Sequence, residues 1–185
     1  MTRALIIADP QRDFCEGGSL GVAGGAAAVS RIDRLLNGDH GYAQVIASRD
    51  HHIDPGGHFA AEPDFVDSWP PHCLVGSTGA EFHENLTYRD FAAVFYKGHY
   101  APAYSAFEGA TANGERLSAW LRERKVDQID ICGIATDYCV RATALDAVRE
   151  GFDTTVLLDL TAAVAPERVA EVSAELAAAG VAIRG

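Results

Sequence analysis

The chain has 185 residues, of which 48% are hydrophobic and 22% charged, and a protein of this size buries about 70% of the surface that it exposes when unfolded. We therefore expect residues 1–185 to form a single domain. Fifteen Lys and Arg stand against 26 Asp and Glu, and the formal net charge of −11 argues against nucleic acid or an anionic membrane as a partner. No apolar run approaches the ~20 residues of a membrane helix, and no signal region precedes Asp9. We expect a cytoplasmic protein, and the composition leaves open whether it is a monomer or a homodimer.

Short apolar runs alternate with segments of helical spacing along the chain. The apolar runs predict strands at Ala4–Ala8, Gln44–Ser48, Ala92–Tyr96, Ile129–Ile134, Thr154–Leu160 and Val181–Ile183. Helices are predicted at Ala26–Leu36, Leu117–Arg124, Val140–Glu150 and Pro166–Ala179. Nearly continuous apolar strands that alternate with helices are typical of a parallel sheet covered on both faces. The sequence therefore predicts an α/β fold with three layers, α/β/α, around a central and mainly parallel sheet.

Polar or reactive residues follow four of these strands. They are Asp9, Asp50, Lys97 and the segment Ala135–Cys139. Each of them taken singly is more often a loop cap or a solvated charge than a functional group. Because parallel strands end at one edge of a sheet and ligands bind there, the four together predict one catalytic cleft.

Cys139 is the strongest candidate for a nucleophile. It follows the fourth strand where a helix is expected to begin, and Thr136 or Asp137 is expected to cap that helix. A thiol in the first turn of a helix, with a cation such as Lys97 nearby, is expected to have a lowered pKa. The sequence therefore predicts a reactive thiolate at Cys139.

A cysteine hydrolase also needs a proton carrier and a site for the oxyanion. No histidine is close to Cys139 in sequence, so Asp9 at the end of a buried strand is the candidate carrier; a role as a loop cap is equally open. Backbone N–H groups at Ala135 and Cys139 are candidates for binding the oxyanion. Cysteine is also common as a small buried hydrophobic residue, and this role fits Cys73 and Cys132. The wide spacing of all four cysteines favours reduced thiols over disulfides.

A second cluster has the composition of a metal site. Asp50 and His52 are two residues apart in an extended segment and face the same way, while His51 points elsewhere. His58 follows after a Pro-Gly-Gly turn, and His72 lies further along. Carboxylate and imidazole ligands suit zinc, iron or manganese, although a coincidental cluster is the alternative. A surface position without a special role is expected for His40, His83 and His99.

Five segments in this order resemble the nicotinamidases, also called pyrazinamidases, of the isochorismatase-like cysteine hydrolases. The segments are Ala4–Cys15, Asp50–Phe59, Trp69–Cys73, Phe95–Gly98 and Gly133–Val140. The resemblance runs from the first strand through the last helix. It implies hydrolysis of nicotinamide to nicotinate and ammonia, and of pyrazinamide to pyrazinoate, through a thioester, as in NAD salvage.

The resemblance also implies roles for individual residues. The implied catalytic triad is Asp9, Lys97 and Cys139. One divalent ion, zinc, iron or manganese, is implied at Asp50, His52, His58 and His72. The implied substrate pocket contains Phe14, Trp69, Tyr104, Ile134 and Ala135, with a cis peptide before Ala135.

Two positions depart from the family pattern, and two other interpretations stay open. Tyr138 and Arg49 stand where many relatives carry histidine and lysine, which leaves substrate preference open. One alternative is another member of the superfamily, such as an N-carbamoyl amide hydrolase or an isochorismatase, which the metal cluster argues against. The other is a non-catalytic ligand- or metal-binding module in which Cys139 is structural.

Overall fold

The computed structural model describes residues 1–185 and contains one six-stranded sheet. The strands are β1 (Thr2–Ala8), β2 (Gln44–Asp50), β3 (Ala93–Lys97), β4 (Val126–Ile134), β5 (Asp153–Ala162) and β6 (Ala182–Arg184). The helices are α1 (Gly25–Leu36), α2 (Leu117–Glu123), α3 (Arg141–Arg149) and α4 (Val169–Ala178). All six predicted strands and all four predicted helices are present, with bounds that differ by a few residues.

The strand order is β3-β2-β1-β4-β5-β6, and every neighbouring pair is parallel. The chain moves outward from β1 to β3 on one side and from β4 to β6 on the other, so the direction of winding reverses between β1 and β4. Ligand sites of open parallel sheets lie at this reversal, beyond the carboxyl ends of the strands.

Two apolar cores cover the two faces of the sheet. Alternate residues of β1 face opposite sides: Ile6 belongs to the core that includes α2, α3 and α4, and Leu5 and Ile7 to the core that includes α1. These three side chains are at most 1% exposed, so β1 is buried on both faces. The predicted three-layer α/β/α fold is therefore confirmed.

The carboxyl ends of the two central strands leave no room for a side chain at one position. Gly133 of β4 has a φ of 114° and pairs with Ala8 of β1, and a Cβ at Gly133 would collide with the Ala8 backbone. Only glycine combines this conformation with this distance. The contact sets the spacing of the strands directly beneath Asp9 and the loop that carries Cys139. No helix of the structure has the length and apolarity needed to cross a membrane.

Candidate active site

Lys97 lies at the centre of a buried ionic cluster. It is the last residue of β3 and pairs in register with Asp50, the last residue of β2, so the two side chains emerge side by side. Its Nζ lies 2.9 Å from Asp9 Oδ2 and donates to Asp50 Oδ1 and to the carbonyl of Ala103 at 3.2 Å. The same nitrogen lies 3.8 Å from Cys139 Sγ. One ammonium group thus contacts both carboxylates and the candidate nucleophile.

The opposite charges of this cluster keep both Lys97 and Asp50 ionised. Burial favours the neutral amine of Lys97, but Asp50 and Asp9 outweigh this effect and raise its pKa well above the usual range. Burial would likewise raise the pKa of Asp50, but Lys97 and the neighbouring His52 and His72 hold it well below its ordinary value. Lys97 is therefore an ammonium and Asp50 a carboxylate at neutral pH.

Asp9 combines complete burial with an unusual backbone. It directly follows β1, is 0% exposed and has a φ of 45°. Its Oδ1 accepts a hydrogen bond from Ser48 Oγ at 2.7 Å. Burial raises the pKa of Asp9, with Lys97 acting in the opposite direction. A carboxylate of raised basicity next to a thiol is suited to accepting a proton.

Cys139 lies in a widened helical turn, Thr136–Val140, which leads into α3. The Val140 N–H donates to the carbonyl of Ala135 at 3.0 Å, a spacing of five residues instead of the four of an α-helix. Burial raises the pKa of Cys139, Lys97 lowers it, and Asp9 raises it further through charge and a hydrogen bond. The expectation of a lowered pKa is therefore wrong. The buried sulfur lies beside one ammonium group and two carboxylates, and the ammonium does not offset both burial and the carboxylates. Cys139 is therefore a thiol, and it donates a hydrogen bond to Asp9.

The predicted side-chain cap of this turn is also wrong. Thr136 Oγ1 donates instead to Thr161 Oγ1 of β5 at 2.8 Å. The Asp137 carboxylate accepts from the backbone N–H groups of Val164 and Ala165, both at 2.9 Å. Both side chains therefore tie the catalytic turn to β5 and to the segment that follows it.

The backbone next to this turn presents a free donor. The Ile134–Ala135 peptide is cis, as the family resemblance implies. The Ala135 N–H donates to no carbonyl or side chain of the protein. This donor lies at the entrance of the turn that carries Cys139.

The four residues expected to bind metal lie together. One ring nitrogen from each of His52, His58 and His72 lies within 4.8 Å of the others, and all three residues are buried. Asp50 Oδ2 lies 3.5 Å from His52 Nε2 and 3.7 Å from His72 Nε2. His52 Nε2 and His58 Nδ1 are buried without a hydrogen-bond partner. Buried polar atoms are normally paired, so the orphaned nitrogens and the carboxylate fit a divalent metal ion.

The surrounding backbone orients these rings. The Nδ1 atom of His52 lies 2.6 Å from the carbonyl of Gly98, and that of His72 lies 2.8 Å from the carbonyl of Pro70. Protonated Nδ1 atoms leave both Nε2 lone pairs directed at the cluster, the usual arrangement of metal-binding histidines. Burial, together with the charges of His72 and His52, lowers the pKa of His58 to about 4. His58 is therefore neutral at pH 7, as a metal ligand must be.

An apolar cavity opens between Cys139 and this cluster. The space between its walls, including the solvent at its open mouth, is about 390 Å³. The lining includes all five expected pocket residues: Phe14, Trp69, Tyr104, Ile134 and Ala135. Trp69 Nε1 donates to the Tyr104 hydroxyl at 3.2 Å, and Tyr138 packs edge-on against Trp69 at 5.0 Å. The aromatic walls suit a small planar ring.

Three apolar residues of the lining were not expected from the sequence. Leu20 and Val22 lie in the glycine-rich segment after β1, and Val164 follows β5. An isolated aliphatic residue in a loop carries little signal by itself. Arg49, one of the two departures from the family pattern, lies outside this cavity. It donates to the carbonyl of Ala80, and its guanidinium lies 4.9 Å from the centre of the Phe82 ring.

The remaining histidines differ in part from the expectation of a plain surface position. His83 is only 9% exposed. His99 is half-buried and pairs with His51, which points away from the cluster as predicted. His40 is half-exposed and accepts a hydrogen bond from the Tyr42 N–H. The surface interpretation is therefore wrong for His83 and incomplete for His99.

Comparison with known proteins agrees with this geometry. Residues 3–184 match the family model described as the isochorismatase domain. The chain is 54% identical over 179 residues to a nicotinamidase/pyrazinamidase of Mycobacterium tuberculosis, covering 97% of this chain and 96% of the relative. A nicotinamidase of Escherichia coli is 37% identical over 197 residues, which is 96% of this chain and 92% of the relative.

Solved structures show the same architecture. A pyrazinamidase of Pyrococcus horikoshii in complex with zinc superposes with a TM-score of 0.85 at 34% identity, covering 99% of this chain and 98% of that one. A protein of L. infantum in complex with nicotinate superposes with a TM-score of 0.86 at 37% identity, covering 98% and 91%.

Proposed function

The chain belongs to the nicotinamidases of the isochorismatase family, and from this premise we propose how it converts nicotinamide to nicotinate and ammonia. Cys139 is the nucleophile, Asp9 carries the proton and Lys97 holds the charges in place. The observation that carries the proposal is the contact of Lys97 Nζ with both Asp9 and Cys139, the last of which lines an aromatic cavity. Pyrazinamide, which has a similar planar ring and the same carboxamide, is a second substrate.

The cavity positions the substrate ring. Phe14, Trp69, Tyr104 and Ile134 provide apolar walls, and the structure of the L. infantum relative with nicotinate supports an aromatic acid or amide as occupant. A ring held between these walls places its carboxamide against Cys139. Holding the two reacting groups in this geometry removes much of the entropic cost of their encounter.

The reaction begins with transfer of the Cys139 thiol proton to Asp9. The sulfur then attacks the amide carbon, and the negative charge that develops on the amide oxygen is accepted by the backbone N–H groups of Ala135 and Cys139. Asp9 returns the proton to the leaving nitrogen, the C–N bond breaks and ammonia departs, which leaves a thioester on Cys139. Asp9 next takes a proton from water, the hydroxyl adds to the thioester carbonyl, and the thiol is regenerated as nicotinate forms.

Lys97 acts through charge in both halves of the reaction. Among the influences on Cys139, the Lys97 ammonium is the one that lowers its pKa. It therefore stabilises the thiolate after the proton has moved to Asp9. It also binds Asp50, which fixes the orientation of a proposed metal ligand.

We propose that Asp50, His52, His58 and His72 hold one divalent ion, with zinc, iron and manganese all compatible with this donor set. The zinc complex of the P. horikoshii relative and the unpartnered nitrogens of His52 and His58 support the assignment. Such an ion supplies a Lewis acid that can bind the ring nitrogen of the substrate. The alternative of a binding module is less well supported, since it leaves the buried cluster of Asp9, Lys97 and Cys139 without a role.

Three further statements remain predictions. Residues 1–185 form one hydrolase domain, the protein is cytoplasmic, and it is a monomer or a homodimer that contacts neither nucleic acid nor membrane. Size-exclusion chromatography with light scattering measures the oligomeric state directly.

The decisive experiment measures ammonia release from nicotinamide. Wild type is compared with Cys139→Ala and with Cys132→Ala, a matched control at a fully buried cysteine of β4. We expect activity to be lost in the first variant and retained in the second. Chelator-treated wild type is expected to lose activity and to regain it with a single added metal. Ammonia release by Cys139→Ala at the wild-type rate would contradict the proposed nucleophile.

A further inference from the structure

Outside the catalytic site, we propose that His51 and His99 form a second binding site for a divalent ion of the zinc, copper and nickel class. The two rings lie in a solvent-open groove beside the ends of β2 and β3. The lining of this groove includes Lys97 but none of the residues that line the catalytic cavity. The proposed ligands, His51 and His99, have no role in the proposed reaction, so the two proposals can fail separately.

The geometry of the pair is that of two ligands of one ion. His51 Nδ1 and His99 Nε2 lie 3.1 Å apart. Two nitrogens bound to one tetrahedral zinc at the usual Zn–N length are separated by roughly 3.3 Å. The observed separation is thus close to that required, and small ring rotations close the difference.

The catalytic histidines provide an internal comparison. The ring centres of His51 and His99 lie 5.2 Å apart with an interplanar angle of 90°. Within the proposed catalytic metal centre, the three corresponding distances are 5.2, 4.9 and 5.4 Å, with interplanar angles of 46°, 86° and 62°. The second pair therefore has the ring spacing of the histidines that converge on one point in this chain.

Backbone hydrogen bonds hold the pair in place without using the rings. The His51 N–H donates to the carbonyl of Lys97 at 2.9 Å, and the carbonyl of His99 accepts from Ile53 and Asp54, both at 3.0 Å. These bonds join the segment after β2 to the segment after β3. Because the ligands are already in position, little conformational entropy is lost when an ion binds.

An ion at this site replaces the hydrogen bond between the two rings. In the metal-free pair one ring nitrogen donates and the other accepts. When the ion binds, the donating ring loses the proton from its facing nitrogen and gains one, through water in the groove, at its other nitrogen. Both facing nitrogens then have a free lone pair for the ion, and no proton is released. Water completes the coordination. With two protein ligands in place of four, the site binds more weakly than the proposed catalytic centre and exchanges its ion freely.

The test counts bound metal. Protein already loaded with its first equivalent of zinc is dialysed against increasing Zn²⁺, and bound zinc per chain is measured for wild type, His99→Phe and His40→Phe. The phenylalanine keeps ring volume but has no nitrogen, and His40 lies outside the groove. We expect wild type and His40→Phe to bind one further equivalent that His99→Phe does not. Equal zinc binding by wild type and His99→Phe would overturn the proposal.

A second measurement uses wild type alone, so it does not depend on folding of the variant. Diethylpyrocarbonate modifies accessible histidines, and peptide mass spectrometry gives the rate at each one. We expect Zn²⁺ to slow modification of His99 at least several-fold and to leave His40 unchanged. An unchanged rate at His99 in saturating zinc would show that the pair is only a hydrogen bond between imidazoles. Neither readout depends on amide hydrolysis, so failure here is distinct from failure of the proposed function.

Discussion

Replacement of Lys97 by methionine tests the ionic cluster most directly. Methionine keeps the length of the buried side chain but removes the ammonium between Asp9 and Asp50, which are 0% and 3% exposed. Removal of one partner from a buried ion pair costs about 3–5 kcal/mol because the other charge is left uncompensated. We expect Lys97→Met to lower the free energy of unfolding by this amount and to abolish ammonia release.

The pH dependence of this loss has a defined sign. Without the ammonium, the pKa of Asp50 rises above its ordinary value of 3.8, and that of Asp9, which is already raised, rises further. An acid whose pKa is raised in the folded state is destabilising above its unfolded pKa, and this cost disappears as the pH falls and the group is protonated. The stability deficit of Lys97→Met is therefore larger at neutral pH than in mild acid.

Urea denaturation of chelator-treated protein measures these differences without a contribution from bound metal. Lys125→Met is the matched control, because Lys125 is exposed, and it is expected to stay within about 0.5 kcal/mol of wild type. Adding Asp9→Asn to Lys97→Met removes one uncompensated charge and is expected to recover about 1–3 kcal/mol. A loss below about 1 kcal/mol for Lys97→Met, or no recovery in the double variant, would refute the reasoning.

Three further predictions concern proton transfer, the strand contact and the catalytic turn. Asp9 must be ionised to accept a proton, and burial raises its pKa, so kcat/KM should fall in acid at a pH above the ordinary pKa of aspartate. Ser48→Ala removes a hydrogen bond that lowers the pKa of Asp9, so this variant should lose activity at a higher pH than wild type. Gly133→Ala should lower the free energy of unfolding by at least ~2 kcal/mol, measured by thermal unfolding. Gly114 also has a positive φ but has open space around it, so Gly114→Ala should lower this free energy less. Equal losses in the two variants would show that the collision with the Ala8 backbone is not the cause. Asp137→Ala leaves two backbone N–H groups unpaired, so it should lower the free energy of unfolding by about 1–3 kcal/mol. The same variant should raise KM for nicotinamide. An unchanged KM would show that this contact does not affect substrate binding.

Local patterns were sufficient to predict the fold and the membership of the site. Apolar runs of strand length and helical periodicity depend on neighbouring residues, so all ten elements are found close to their predicted bounds. The polar residues that end or follow the strands are brought together because parallel strands end at one edge. Asp9, Asp50, Lys97 and Cys139 therefore lie within one cluster, as their positions predict.

Charge states and hydrogen-bond partners that depend on several distant segments could not be predicted from these local patterns. A helix start beside a lysine predicts a thiolate, yet burial and two carboxylates, Asp9 after β1 and Asp50 at the end of β2, raise the pKa of Cys139. Asp137 has the spacing of a helix cap, but a segment 27 residues later supplies better-placed donors. The pairing of His51 with His99 across 48 residues likewise follows from the alignment of β2 with β3. The sequence by itself determined the elements, the family and the reactive groups. Only the tertiary structure decided their charge states and partners, because desolvation and long-range contacts exist only after the chain has packed.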